Sequence, residues 1–89
     1  MIRKLKKMPY ANATIIENDS KNINLISYVT TVIEIKDGWL QVNGLYSRTT
    51  RRHISNFMRE FGFSYQLAKQ LYDDKMVLNI FTGEVKNLA

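Results

Sequence analysis

The chain has no cysteine, and its 89 residues include one proline, one histidine, one tryptophan and four glycines. Without thiols there is no disulfide framework and no thiolate metal site. His53 stands without HxxxH or HExxH spacing and without a carboxylate cluster, so the sequence offers no metal set and no acid–base pair. Long apolar runs are missing too. The most apolar region, residues 23–35, is interrupted by Asn24, Ser27, Thr30, Thr31 and Glu34, and it falls short of a membrane span. Residues 1–7 have the charge of a signal peptide's first part, but Asn12 and Glu17-Asn18-Asp19 stand where its apolar stretch should be. These absences predict a cytoplasmic protein with no cofactor, no membrane partner and no enzymatic role.

What is present is a globular composition with uneven charge. Hydrophobic residues make up 45% of the chain and charged residues 24%, which argues against disorder, and the length suits one domain. The formal net charge of +5 gathers in two places. Arg3, Lys4, Lys6 and Lys7 lie in the first ten residues, and Arg48, Arg51, Arg52 and Arg59 lie in residues 47–59; neither stretch contains an acid. The remainder is slightly acidic. Polyanionic partners are favoured over basic ones. Residues 1–11 read as a flexible basic arm and residues 12–89 as a single α+β domain.

The clearest local signal is Asp37-Gly38 between two β-prone runs. A two-residue loop there pairs Lys36 with Trp39, Ile35 with Leu40, Glu34 with Gln41 and Ile33 with Val42. Ile33, Ile35, Leu40 and Val42 then share one face, and Glu34, Lys36, Trp39 and Gln41 the other. Residues 12–18 read as a first strand, closed by the turn formers Asn18 to Asn22. Residues 23–31 are expected to extend the hairpin's first strand, with a bulge near Thr30-Thr31. A helix is predicted to begin among Ser47, Thr49 and Thr50, with Ile54, Phe57, Met58 and Phe61 as its apolar stripe and Gly62 as its C-terminal cap. A second helix, Tyr65 to Asp74, a strand, Met76 to Phe81, and a Thr82-Gly83 turn complete the reading. The predicted order is β-β-β-α-α-β: a small antiparallel sheet with two helices packed on one face.

The segment Tyr46-Ser47-Arg48-Thr49-Thr50-Arg51-Arg52-His53-Ile54, followed by Phe57 and Arg59-Glu60-Phe61-Gly62, carries a Tyr-Ser-x-Thr-Thr-x-x-His motif. It resembles a group of short, uncharacterised proteins common in phages and mobile elements of Gram-positive bacteria. Leu25-Ile26-Ser27-Tyr28, Thr30, the hairpin and Gly44 fit that group's layout, so the resemblance covers residues 23–62. It implies an accessory protein working in a bacterial host cell, and it carries no catalytic residue with it.

On a helical wheel, Arg48, Arg52 and Arg59 fall within about 40° of one another, away from the apolar stripe, with Arg51 nearer its edge. Ser47, Thr49 and Thr50 add hydroxyls beside the unpaired backbone N–H groups of a helix start, and guanidinium forks suit phosphate oxygens. Arginines in a first turn face the unfavourable end of the helix dipole, each costing a few tenths of a kcal/mol up to about 1. A local rule broken several times over suggests function. A solvated face, or pairing with Glu34 and Asp37, explains the same pattern, and both accounts stay open. Gly62-Phe63-Ser64 between two helices invites a helix-turn-helix reading. However, the second helix sets Lys69 alone against Asp73 and Asp74, which is wrong for a groove-reading helix.

The candidate anion-binding set is therefore Arg48, Arg51, Arg52, Arg59, Ser47, Thr49 and Thr50 with Lys4, Lys6 and Lys7. Trp39 and Lys36, with Tyr28 if it continues their face, form a candidate partner-binding patch or a face covered by neighbouring chain. The leading expectation is a non-enzymatic accessory protein binding nucleic acid or another polyanion. The runner-up is an anti-CRISPR-like module that docks on an acidic surface of a host defence or replication protein. A homodimer through a sheet edge is a reasonable assembly, because a small sheet leaves edges to cover.

Overall fold

A computed structural model describes residues 1–88; Ala89, the last residue of the expected domain, lies outside the described residues. Seven antiparallel strands form one sheet in chain order: β1 (Ile2–Arg3), β2 (Ala13–Asp19), β3 (Asn22–Ser27), β4 (Thr30–Lys36), β5 (Trp39–Val42), β6 (Met76–Asn79) and β7 (Val85–Asn87). Between β5 and β6 the chain leaves the sheet for α1 (Arg48–Glu60) and α2 (Tyr65–Asp73). The architecture is the expected α+β class, with more strands than expected.

The central register follows from the side-chain alternation. Ile33 pairs with Val42, Glu34 with Gln41, Ile35 with Leu40 and Lys36 with Trp39, as the Asp37-Gly38 turn requires. Both turn residues take positive φ, 52° and 85°, which is the geometry that makes Asp-Gly a hairpin former. Pairing across the strands then aligns two inward rows. Ile15, Leu25, Ile33 and Val42 form one, and Ile23, Ile35, Leu40 and Leu78 the other; all are buried. Ile54, Phe57 and Met58 of α1 and Ala68 and Leu71 of α2 close over them. Each large apolar side chain fully buried in this way contributes about 1.5–3 kcal/mol.

Three strands go beyond the expected order. The single extension expected through residues 23–36 is two strands, because Tyr28 adopts φ 58° and turns the chain between Ser27 and Thr30, which pair. The bulge lies one step later than expected: Leu25 pairs with Ile33 and Ile26 with Thr31, leaving Val32 as the extra residue. That irregularity allows Val32 and Ile33 to be buried in succession. Beyond the Thr82-Gly83 turn the expected tail returns as β7, pairing Met76 with Asn87 and Leu78 with Val85.

The third addition corrects the flexible arm. Ile2 pairs with Ile16 and Arg3 with Ile15, while Glu17 N–H donates to the Met1 carbonyl at 2.8 Å. Leu5 is wholly buried in the core, and Met8 packs against it from outside. The turn Leu5-Lys6-Lys7-Met8 explains this. Met8 N–H bonds back to the Leu5 carbonyl at 3.2 Å, so the two apolar residues go down and the two lysines stand at the tip. Charge counting alone registers four cations and misses the plug beneath them.

Candidate functional site

α1 presents two faces of opposite character. Ser47 is its N-cap, its Oγ accepting from the Thr50 N–H at 3.3 Å. At the other end Gly62 N–H reaches the Arg59 carbonyl at 3.0 Å and Phe63 N–H the Met58 carbonyl at 2.8 Å. With Gly62 at φ 82°, this pair of bonds closes the helix through a left-handed residue. The buried face comprises Thr50, His53, Ile54, Phe57 and Met58, while Phe61 is half-buried.

The opposite face carries the arginines. Arg48, Arg51, Arg52 and Arg59 are all exposed. Among the described residues no carboxylate oxygen lies within 4.0 Å of any of them. The expected alternative partners are not used: Glu34 accepts instead from Asn43 Nδ2 at 2.9 Å. The first turn of the helix contains no acid, so Arg48, Arg51 and Arg52 meet the positive end of the helix dipole uncompensated, whereas Arg59 lies in the last turn, where the dipole favours it.

The structure also joins the two basic segments. Lys6 and Lys7 line one shallow concavity with Asn56, Arg59 and Glu60. Lys6 N–H donates to Glu60 Oε2 at 2.9 Å, and Asn56 Nδ2 lies 3.1 Å from the Met8 sulfur. Lys4 is exposed, with Nζ 3.3 Å from the Ala11 carbonyl. Arg3 is different. It faces inward, hydrogen-bonds Glu17 through Nε, and holds Nη1 2.8 Å from Glu60 Oε1. Burial works against its charge, but the bonds to Glu17 and Glu60 and their charges outweigh that and raise its pKa further. Glu60 is thereby neutralised by Arg3, and Arg59 keeps its charge for solvent.

Two of the expected hydroxyl donors are used by the fold. Ser47 Oγ, besides capping, donates to Thr50 Oγ1 at 3.3 Å. Thr50 is buried, and its Oγ1 lies 3.0 Å from Ser27 Oγ, which in turn lies 2.8 Å from His53 Nδ1. If each hydroxyl donates onward, the chain ends on a neutral imidazole accepting at Nδ1. Burial pushes the His53 pKa down in the same sense. Ser47 and Thr50 therefore leave the candidate anion site, and Thr49, which is exposed, stays. Sequence reasoning misses this buried polar chain, although its signal is present: Ser27 continues the inward alternation of Ile23 and Leu25. Thr50 and His53 precede Ile54 and Phe57 at helical spacing.

The candidate partner patch divides. Trp39 and Lys36 pair on the sheet's outer face, where Lys86 Nζ of β7 sits 4.0 Å from the Trp39 ring centroid. Tyr28 does not continue that face. It occupies the β3–β4 turn beside α1, its ring centroid 5.9 Å from that of His53. On α2, Lys69 pairs with Asp73 at 2.6 Å, which leaves that helix without excess positive charge. Among the described residues no three His, Asp or Glu side chains cluster as a metal site, and no helix is long and apolar enough to cross a membrane.

Comparison with known proteins adds one relationship. Residues 1–75 match the model of a family of unknown function, DUF8033. Neither the curated proteins nor the solved structures give a match.

Proposed function

The chain belongs to this family of unknown function, and on its own geometry we propose that it binds nucleic acid or another polyanion through the basic face of α1. The observation that carries this reading is the contrast between matched and unmatched charge. Arg3 and Lys69 are matched by carboxylates, whereas Arg48, Arg51, Arg52 and Arg59 are exposed without one among the described residues. Lys6 and Lys7 extend that surface past Arg59. Unpaired guanidinium groups in solvent are costly to crowd together and well suited to phosphate oxygens. The likeness of the Tyr46–His53 segment to phage and mobile-element proteins supports an accessory role in that setting.

The test is a retardation titration of DNA and RNA at low salt, repeated across salt concentrations. Binding should weaken steeply with salt. Arg51→Gln with Arg52→Gln should flatten the slope of log affinity against log salt by roughly 0.7–0.9 for each phosphate no longer neutralised. No binding to any polyanion at low salt overturns the reading. The runner-up, docking on an acidic host protein, is favoured by the sheet's uncovered outer face, where Ile2 is exposed and Ile16, Ile26 and Trp39 are half-buried. Capture of a host protein that survives nuclease treatment and disappears with Trp39→Ala would favour it instead.

A further inference from the structure

Resting on the polyanion reading, we propose that the ligand is single-stranded nucleic acid, with bases stacked on Tyr28 and Tyr46 and phosphates held by Arg48, Arg51 and Arg52. The two tyrosines are 54% and 59% exposed. Each ring has a neighbour in the fold. Tyr46 lies over Gly44 so closely that a Cβ there would sit 2.6 Å from its Cε2 and Cζ. Tyr28 leans on the buried His53 ring at 5.9 Å and 43°. A flat aromatic face supported from behind and open in front is a stacking platform, and it loses little entropy when a base settles on it.

Both rings are tied to the helix that carries the arginines. Tyr46 is two residues before Arg48, and Tyr28 packs on His53, the neighbour of Arg52. The buried hydroxyl chain fixes the arrangement from beneath. Tyr28 follows Ser27 and Tyr46 precedes Ser47, and both serines bond to Thr50 Oγ1, at 3.0 and 3.3 Å. Each tyrosine also holds a left-handed backbone, φ 58° and 40°. For a bulky residue this costs on the order of 1–3 kcal/mol and persists only where the surroundings enforce it.

Duplex DNA has no use for such platforms, because its bases are already stacked and a flat surface meets phosphates alone. A single strand offers both free base faces and phosphates, so only it engages the tyrosines and the arginines together.

The experiment compares fluorescently labelled oligo-thymidine and oligo-uridine strands with a duplex of equal length, by anisotropy titration of the whole chain. The single strands should bind more tightly. Tyr28→Ala and Tyr46→Ala should each weaken them about 5- to 150-fold, from roughly 1–3 kcal/mol per stacked base, and leave duplex affinity within about twofold. Tyr28→Phe and Tyr46→Phe keep the ring and should keep the binding, which guards against a misfolded alanine variant. Equal affinity for strand and duplex, or alanine variants that bind like wild type, overturns this inference and leaves the polyanion reading standing. Failure of strand, duplex and heparin alike overturns both.

Discussion

Arg3 lies on the helix-covered side of β1 between Glu17 and Glu60, with its side chain 24% exposed and that of Glu60 only 7%. Arg48, Arg51, Arg52 and Arg59 stand in solvent, with no described carboxylate within 4.0 Å. One side-chain chemistry therefore serves two purposes in this chain. Arg3 ties an edge strand to the end of α1 and is consumed by the fold; among the described residues the helix arginines have no such carboxylate. The comparison implies opposite consequences for the same kind of substitution, and that can be tested.

The sharpest way to break it is Arg3→Met. Removing the guanidinium leaves the Glu60 carboxylate nearly buried without its cation. Losing one partner of a fully buried pair costs about 3–5 kcal/mol, and the partial exposure of Arg3 and Glu17 reduces that to roughly 2–3. Urea unfolding should show the loss, and Arg3→Met with Glu60→Met should recover much of it, since the stranded charge is gone. A cost below about 0.5 kcal/mol would place Arg3 among ordinary surface residues and dissolve the distinction.

Next in size is the buried hydroxyl chain beneath the arginine face. Ser27→Ala leaves Thr50 Oγ1 and His53 Nδ1 short of a partner, at a cost of about 1–3 kcal/mol. His53 adds a pH dependence. Burial lowers its folded pKa below the ordinary 6.5, so the unfolded chain binds the proton more readily than the folded one. This contribution is full above pH of about 6.5 and is lost as pH falls from there through the folded pKa. His53→Gln should flatten the stability profile over that window while lowering stability at neutral pH. An unchanged profile would mean the imidazole is not held neutral.

What the sequence discloses depends on the range of the interactions. The Asp37-Gly38 turn, its register, the stripe on α1 and the Gly62 terminus are set by residues a few positions apart, and all are readable. The arginine face is readable for the same reason, because helical spacing alone gathers Arg48, Arg52 and Arg59. The role of Arg3 is not, since it depends on Glu17 from a neighbouring strand and Glu60 from the far end of α1. Polarity alone puts Thr50 in solvent; only the arrival of Ser27 from β3 makes its burial tolerable. Continuous strand would put Tyr28 on the outer face, but its positive φ inserts a turn there instead.

The smallest expected effect has an unusual sign. Arg48 opens α1, and Arg51 stands one turn later, where the dipole is positive and no acid is present. Replacing Arg48 by glutamate reverses an unfavourable charge–dipole contact and should stabilise the protein by about 0.3–1 kcal/mol, a rise of a few degrees in Tm for a domain of this size. The same variant should lose polyanion affinity. Were these arginines structural, charge reversal would cost stability, as the Arg3 substitution should. A variant that melts higher and binds worse would separate the two purposes within one residue type. Helix starts with uncompensated arginine are then best understood as stability given up for a surface that holds phosphate.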